Sequence, residues 1–181
     1  MKASIDQIQL AETNVMIKGV SKNTPKILTR ALNKTVSKGR TLSSKKIREQ
    51  VSLKANYVKS KLNIRKATWT KLTASISAES RGLILTNYAT GVDKNGHIKV
   101  KIKKKGKAKI FTDAFLTTIN AGSKKVDAIA VRDPATNKFK VLYGPSVSQV
   151  FNTVRDDVDT ELVEYLSVVA EKELDAVLRG F

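Results

Sequence analysis

The chain has 181 residues, of which 41% are hydrophobic, so it is long enough for one domain, residues 1–181, with its own apolar core. It contains no cysteine and a single histidine, His97. This composition excludes disulfides, thiolate catalysis and cysteine-based metal sites, and one histidine is too little for a zinc or iron centre, so we expect no metal and no cofactor. The formal net charge of +18 predicts attraction to an acidic partner, for which nucleic acid is the usual candidate.

Apolar stretches in the chain are short and interrupted by charge. The longest, around residues 167–170, falls far short of the roughly 20 residues that cross a bilayer. Near the N-terminus, Asp6 and Glu12 break the apolar stretch that a signal peptide requires. We therefore expect no membrane association, and we expect the protein to act where it is made.

The charge is unevenly distributed along the chain. Residues 146–181 hold three basic and eight acidic residues, a local balance of −5, which leaves +23 on the rest. A subunit with an acidic end and a basic body can bind head to tail to copies of itself, and a heterologous contact that closes makes a ring, which is our hypothesis. The alternative is a long solvated helix that happens to be acidic.

The first clear helical pattern begins near residue 22. Asn23 or Thr24 can cap a helix, and Pro25 suits its first position. The apolar stripe behind them predicts a long helix to about Gln50, with two helices joined at Gly39 as the alternative. This stripe consists of Leu28, Leu32 and Val36.

Two segments beside this helix have weaker patterns. Ser52 is expected to cap a shorter helix that runs to Leu62, so the helical region spans residues 22–63. Residues 1–20 have no firm period, although Ile5, Ile8 and Leu10 suggest a short strand or helix.

From residue 68 to residue 144 the apolar period changes to two, which is typical of strands. Leu72, Ala74, Ile76 and Ala78 alternate with small polar residues. Two polar segments, 93–96 and 132–138, are predicted to be hairpin turns. The other expected strands are residues 83–86, 97–102, 110–115, 128–131 and 139–143.

Residues 146–179 predict a long amphipathic helix. With strands grouped between terminal helices, the fold class is α+β: an antiparallel β-sheet flanked by a long N-terminal helical region and a long C-terminal amphipathic helix. We expect the apolar face of this last helix to form a contact between subunits. Its residues are Val150, Phe151, Val154, Val158, Leu162, Leu166 and Val169.

The densest charge lies in residues 99–109, where seven of eleven residues are lysine. The pattern predicts a strand that runs into an exposed basic tip. Lysine is a hydrated point charge without the planar fork that reads base edges, so the segment suits non-specific contact with phosphates or with an acidic protein. The alternative is an edge strand that lysines protect against aggregation. The candidate contact residues are Lys99, Lys101, Lys103, Lys104, Lys105, Lys107 and Lys109.

A second basic stretch runs along the first helix and the segment after it, and is expected to be mostly the solvated sides of helices. Only Tyr57 and Trp69 lie near it, too few aromatic rings for a platform on which bases stack. Its residues are Lys34, Lys38, Arg40, Lys45, Lys46, Arg48, Lys54, Lys59, Lys61, Arg65 and Lys66.

No motif predicts catalysis. Gly91 and Gly96 have the spacing of a phosphate-binding loop, but His97 and Ile98 follow where lysine and a hydroxyl residue are required. His97 has no convincing triad partners in the sequence. We therefore predict that the protein is not an enzyme.

The order of several local patterns resembles the minor tail protein Z family of long-tailed phages, also called tail completion proteins. The resemblance covers residues 25–181. It rests on segments 30–35, 58–67, 74–78 and 81–85, the lysine-rich segment, 113–116, and the stretch 143–147 that leads into the last helix. The C-terminal helix is more acidic than is typical of that family, and residues 1–20 have no counterpart in the resemblance.

The resemblance implies a structural virion protein that is added at the head-proximal end of the tail and is needed for head–tail joining and DNA passage. The expected partners are copies of the same chain in a ring, for instance a hexamer, the tail tube or tail terminator, the head–tail connector proteins and the phage DNA. The expected location is the tail or neck of the virion, and the host cytoplasm during assembly. The rival hypothesis is a stand-alone basic nucleic-acid-binding protein.

Overall fold

A computed structural model describes residues 3–4 and 23–179 of the chain. Its helices are α1 (Thr24–Gln50), α2 (Ala55–Lys61) and α3 (Val147–Leu178). The segment around Ile5, Ile8 and Leu10 lies outside the described residues. The strands are β1 (Ala3–Ser4), β2 (Leu62–Arg65), β3 (Ser75–Ala78), β4 (Leu83–Ile84), β5 (Ala89–Val92), β6 (Ile98–Lys101), β7 (Lys109–Phe111), β8 (Ala114–Ala121), β9 (Lys124–Arg132), β10 (Phe139–Val141) and β11 (Tyr143–Gly144).

Helix α1 is continuous through Gly39, as the sequence pattern favoured. A Cβ atom at this glycine would lie 2.7 Å from the terminal methyl carbons of Ile76 and Leu162. The glycine therefore allows β3 and α3 to approach the helix closely, which explains a poor helix former in mid-helix.

Both predicted helix caps near α1 differ from the expectation. Asn23 occupies the N-cap position of α1, but its side chain makes no capping hydrogen bond. Lys54, and not Ser52, precedes α2. The backbone N–H of Ser52 instead donates to the carbonyl of Ile102 at 2.8 Å, because the segment after α1 runs alongside the lysine-rich segment.

The strands form four small antiparallel sheets within the described residues, where the sequence suggested one sheet. Their strand orders are β1-β3-β2, β5-β6-β7, β10-β9-β8 and β11-β4. The α+β class is confirmed. The described strands lie between α2 and α3 in the chain, except for β1, which precedes α1. Three expected strands are interrupted. A 3-10 helix over residues 85–87 ends β4 early, Thr112 and Asp113 separate β7 from β8, and Leu142 separates β10 from β11.

Ser146 is the N-cap of helix α3. Its hydroxyl accepts a hydrogen bond from the backbone N–H of Gln149, and the Gln149 side chain accepts one from the Ser146 N–H. This capping box explains the sharp start of the helix. Helix α3 packs antiparallel to α1, since Gln50 at the end of α1 contacts Thr153 near the start of α3.

The apolar face of α3 lies in the core of its own chain. Val158 and Leu162, for example, belong to one buried cluster with Ile47 of α1 and Ile76 of β3. Because these side chains pack inside the chain, they are not available for a contact between subunits. The residues expected at that contact, Val150, Phe151, Val154, Val158, Leu162, Leu166 and Val169, are all buried.

Candidate functional site

The lysine-rich segment forms a hairpin of β6, a turn and β7, where the sequence pattern predicted a strand that runs into an exposed basic tip. In β6 the buried Ile98 and Val100 alternate with Lys99 and Lys101, which face away from the core. Among the described residues none of the seven lysines makes an ion pair, so their charge is available to a partner. We name this surface the lysine hairpin. Its cationic residues are Lys99, Lys101, Lys103, Lys104, Lys105, Lys107 and Lys109, of which Lys101 is half-buried and the others are exposed.

The position of the lysine hairpin in its sheet bears on the edge-strand alternative. Strand β6 pairs with both β5 and β7, so Lys99 and Lys101 lie on a central strand that needs no protection at an edge. Only Lys109, on β7, lies on an edge strand of this sheet. Edge protection therefore accounts for one of these lysines at most.

One side of the lysine hairpin borders an open groove of about 900 Å³. Lys103 and Lys105 line it together with Lys46 from α1. The apolar part of its wall consists of Val51, Ile102, Pro145, Val150 and Val154. Two carboxylates, Glu49 and Asp157, also line the groove.

The other side borders a pocket of about 680 Å³ that gathers three lysines from two parts of the chain. Lys101 and Lys104 of the hairpin meet Lys54 from the segment between α1 and α2. Hydroxyl and amide groups complete the lining. The Thr86 and Tyr88 hydroxyls already donate to the carbonyls of Asp127 and Pro145, so the lysine ammonium groups are the main donors that the pocket offers to an anion such as a phosphate. The hydroxyl and amide groups belong to Ser52, Tyr57, Thr86, Asn87, Tyr88 and Thr90.

Sequence reasoning placed Lys54 on a solvated face and missed its place in this pocket. Two isolated bridges bring it there, Val51 to Lys103 and Leu53 to Tyr88. The backbone N–H of Lys104 also donates to the carbonyl of Gln50 at 2.8 Å. The alternation of apolar Val51 and Leu53 around Ser52 was the one signal of an extended segment here.

Several residues of the second basic stretch, which the sequence suggested would be mostly solvated, make contacts within the chain. Lys61 pairs with Glu79 at 2.7 Å, and the guanidinium of Arg40 donates to the carbonyl of Lys59 at 2.7 Å. Lys46 contacts Glu161 at 2.9 Å, and this hydrogen bond raises the pKa of the lysine. Exposed members of the stretch are Lys34, Lys38, Lys45, Arg48, Lys54, Lys59, Arg65 and Lys66.

The acidic residues of α3 fall into two groups. Some are paired: Glu173 is buried and contacts Arg30 and Lys34 of α1, while Asp159 contacts Arg155 on its own helix. Burial raises the pKa of Asp159, because Arg155 only partly offsets the loss of solvent. Asp157 and Glu161 reach Lys46. The others, Asp156, Glu164, Glu171 and Asp175, are exposed and make no ion pair with the described residues.

The glycine-containing loop between β5 and β6 is a turn, as predicted, and not a phosphate site. The carboxylate of Asp93 accepts from the backbone N–H groups of Asn95 and His97 and contacts the His97 ring at 3.1 Å. The hydrogen bond from the His97 backbone, more than the others, lowers the pKa of Asp93. The Asp93–His97 pair therefore stabilises the turn between β5 and β6.

Among residues 3–4 and 23–179, no group of His, Cys, Asp and Glu side chains could hold a metal ion. In the same part of the chain, no helix is long and apolar enough to cross a membrane.

Comparison with known proteins gives one match. The family model described as Prophage minor tail protein Z (GPZ) matches residues 11–181, so the likeness begins earlier than residue 25, where the sequence resemblance started. No curated protein and no solved structure matches the chain. Because the family model covers nearly the whole chain, the chain belongs to the prophage minor tail protein Z family and is a structural component of a phage tail, and hence of the virion.

Proposed function

We propose that the protein is a tail completion or neck subunit at the head-proximal end of the tail, where it forms a homo-oligomeric ring for head–tail joining and DNA passage. The single observation that carries the DNA part is the lysine hairpin, whose seven lysines make no ion pair among the described residues. The ring's neighbours would be the tail tube or tail terminator on one side and connector proteins on the other. Assembly would take place in the host cytoplasm.

The chemistry of the lysine hairpin suits a surface that lines a passage for DNA better than one that recognises a base sequence. A channel must let any sequence slide, so its contacts have to be non-specific and individually weak. Lysine ammonium groups on an exposed turn meet that need, because they attract phosphates without the bidentate geometry that holds a guanine. The turn at residues 103–106 lies at the end of the hairpin, where it can project from a ring toward its axis.

A structural role also agrees with the absence of catalytic geometry among the described residues. The His97 ring contacts Asp93 in an exposed turn, and no motif of the chain supplies a nucleophile. The polar pocket that holds Lys54, Lys101 and Lys104 lacks acidic residues and histidine, so it suits binding of an anion more than acid–base chemistry. We therefore propose a non-enzymatic role.

The test reverses charge at the end of the lysine hairpin in phage particles. Lys103→Glu, Lys104→Glu and Lys105→Glu together should lower genome retention and infectious titre, while heads and tails still form and the subunit is still incorporated. DNA content, electron microscopy and titre would be measured on the same particles.

The matched control makes the same change of net charge elsewhere. Lys124→Glu, Lys125→Glu and Lys138→Glu alter exposed lysines of the β8-β9-β10 sheet. This control should retain its genome. Equal losses in both variants, or no loss in the first, would contradict the proposed DNA contact.

The second candidate is a stand-alone nucleic-acid-binding protein, favoured by the pocket that unites Lys54, Lys101 and Lys104. The isolated protein would then bind free DNA or RNA tightly, with an affinity that falls with salt by a logarithmic slope of about 0.9 per phosphate contacted. A subunit that lines a channel should bind weakly until it is assembled. Filter binding across a salt series, with and without assembly, separates the two candidates.

A further inference from the structure

We infer that the outer face of α1 in one copy of the chain docks on the outer face of α3 in the next copy. The inference rests on the proposed ring and names its two contact surfaces. We call them the basic ridge of α1, which is Lys38, Thr41, Lys45 and Arg48, and the acidic ridge of α3, which is Asp156, Glu164, Glu171 and Asp175.

The acidic ridge occupies one continuous face of α3. Its four residues follow one another at steps of eight, seven and four, so they share the side of the helix that the core does not use. All are exposed, and none makes an ion pair with the described residues. At 1.5 Å per residue the ridge is about 28 Å long. Four unpaired carboxylates along this length favour a basic partner, and the basic ridge of α1, ten residues or about 15 Å long, covers about half of it.

The basic ridge supplies such a partner. Its residues follow at steps of three and four along α1, and all four are exposed. Lys45 and Arg48 make no ion pair among the described residues, and the Lys38 ammonium lies 5.7 Å from the centre of the Tyr165 ring. No acidic residue interrupts this face before Glu49.

Ion pairs alone hold exposed surfaces weakly, so the contact needs apolar area as well. Two valines on the outer side of α3 provide it: Val163 is 45% exposed and Val168 is 47% exposed. Val168 lies one turn after Glu164 and Val163 lies two turns after Asp156, so the alkyl parts of lysine and arginine side chains can cover both valines while the charged groups meet the carboxylates.

The two ridges are different surfaces of one chain, and apart from Lys38, whose ammonium lies over the Tyr165 ring of α3, their side chains make no ion pair or ring contact among the described residues. Inside the chain, α1 and α3 are joined by Lys46 with Glu161 and by Lys34 with Glu173, which belong to neither ridge. A contact between unlike surfaces repeats from copy to copy and generates a closed ring when the rotation permits. The lysine hairpin takes no part, so it stays free to face DNA.

The experiment uses two reversed variants of the full chain. Variant A carries Lys38→Glu, Lys45→Glu and Arg48→Glu, and variant B carries Asp156→Lys, Glu164→Lys and Glu171→Lys. Circular dichroism first establishes that each variant is folded. Light scattering and native mass spectrometry then give the mass of the wild type, of A, of B and of an equimolar mixture.

Each variant alone should lose assembly, because its ridges then carry the same sign of charge. The mixture should assemble again with A and B alternating, since the reversed ridge of A meets the reversed ridge of B and the two native ridges also meet. A third variant with Lys59→Glu, Arg65→Glu and Lys66→Glu changes charge away from both ridges and should assemble like the wild type.

The outcomes separate this inference from the proposed ring. If the wild type assembles while A and B keep its mass, or if the folded variants fail to recover assembly on mixing, the ridges are not the contact although the ring stands. If the wild type is monomeric in solution and cross-linking finds no multimer in particles, both the ring and the ridges are contradicted.

Discussion

Truncation of Leu162, compared with its neighbour Val163, tests whether α3 packs inside its own chain. Leu162 is 1% exposed and contacts the position of Gly39 on α1, whereas Val163 is 45% exposed. Leu162→Ala leaves a cavity between the helices and should destabilise the fold by about 2–5 kcal/mol. Val163→Ala, on the outer side, should change the stability of the monomer by less than about 0.5 kcal/mol.

The assay is thermal and urea unfolding, followed by circular dichroism at several protein concentrations. For a chain of this length each kcal/mol lowers the Tm by about 2–4 °C, so Leu162→Ala should lower it by roughly 4–20 °C. The decrease should be the same at every concentration, because the lost contacts lie within one chain. Equal effects of the two substitutions, or a decrease for Leu162→Ala that vanishes at high concentration, would refute the internal packing of this face.

Two further predictions concern turns and close contacts. Gly144→Ala would place a Cβ atom 2.7 Å from the buried Tyr88 ring. Because the Tyr88 hydroxyl also donates to the Pro145 carbonyl, the substitution should destabilise the fold by about 1–3 kcal/mol, measured by urea unfolding. Gly91→Ala, which meets nothing within 4 Å, is the control and should have an effect below about 0.5 kcal/mol. The lowered pKa of Asp93 means that its support of the β5–β6 turn is present above the ordinary aspartate pKa and is lost as pH falls through the lowered value. Amide NMR shifts of this turn should therefore titrate in acid, and should stay flat in Asp93→Asn; a titration that persists in the variant would assign it to another group.

The long helices could be predicted from the sequence because their signals are local. Residues 146–179 were expected to be helical, and α3 spans Val147–Leu178 with a capping box at Ser146. Helix α1 likewise ends at Gln50, where its apolar period ends. Periodicity and capping act within a few residues of the chain, so no tertiary information is needed to recognise them.

The strands were harder to predict because their lengths depend on distant partners. Strand β4 pairs with β11 across about sixty residues of chain, and it ends after Ile84 because a 3-10 helix follows. The alternating pattern of residues 72–78 predicted a longer strand than the four residues of β3, which end where their pairing with β2 ends. Strand pairing adds context that a single segment does not contain.

The sequence by itself determined the α+β class, the two long helices, the basic character of the chain and its membership of the minor tail protein Z family. Only the tertiary structure decided what each face contacts. It buried Val158 and its neighbours inside the chain, and it brought Lys54 beside Lys101 and Lys104. The physical reason is that an amphipathic pattern states how much of a face is buried, whereas the partner that buries it depends on contacts between segments far apart in the chain.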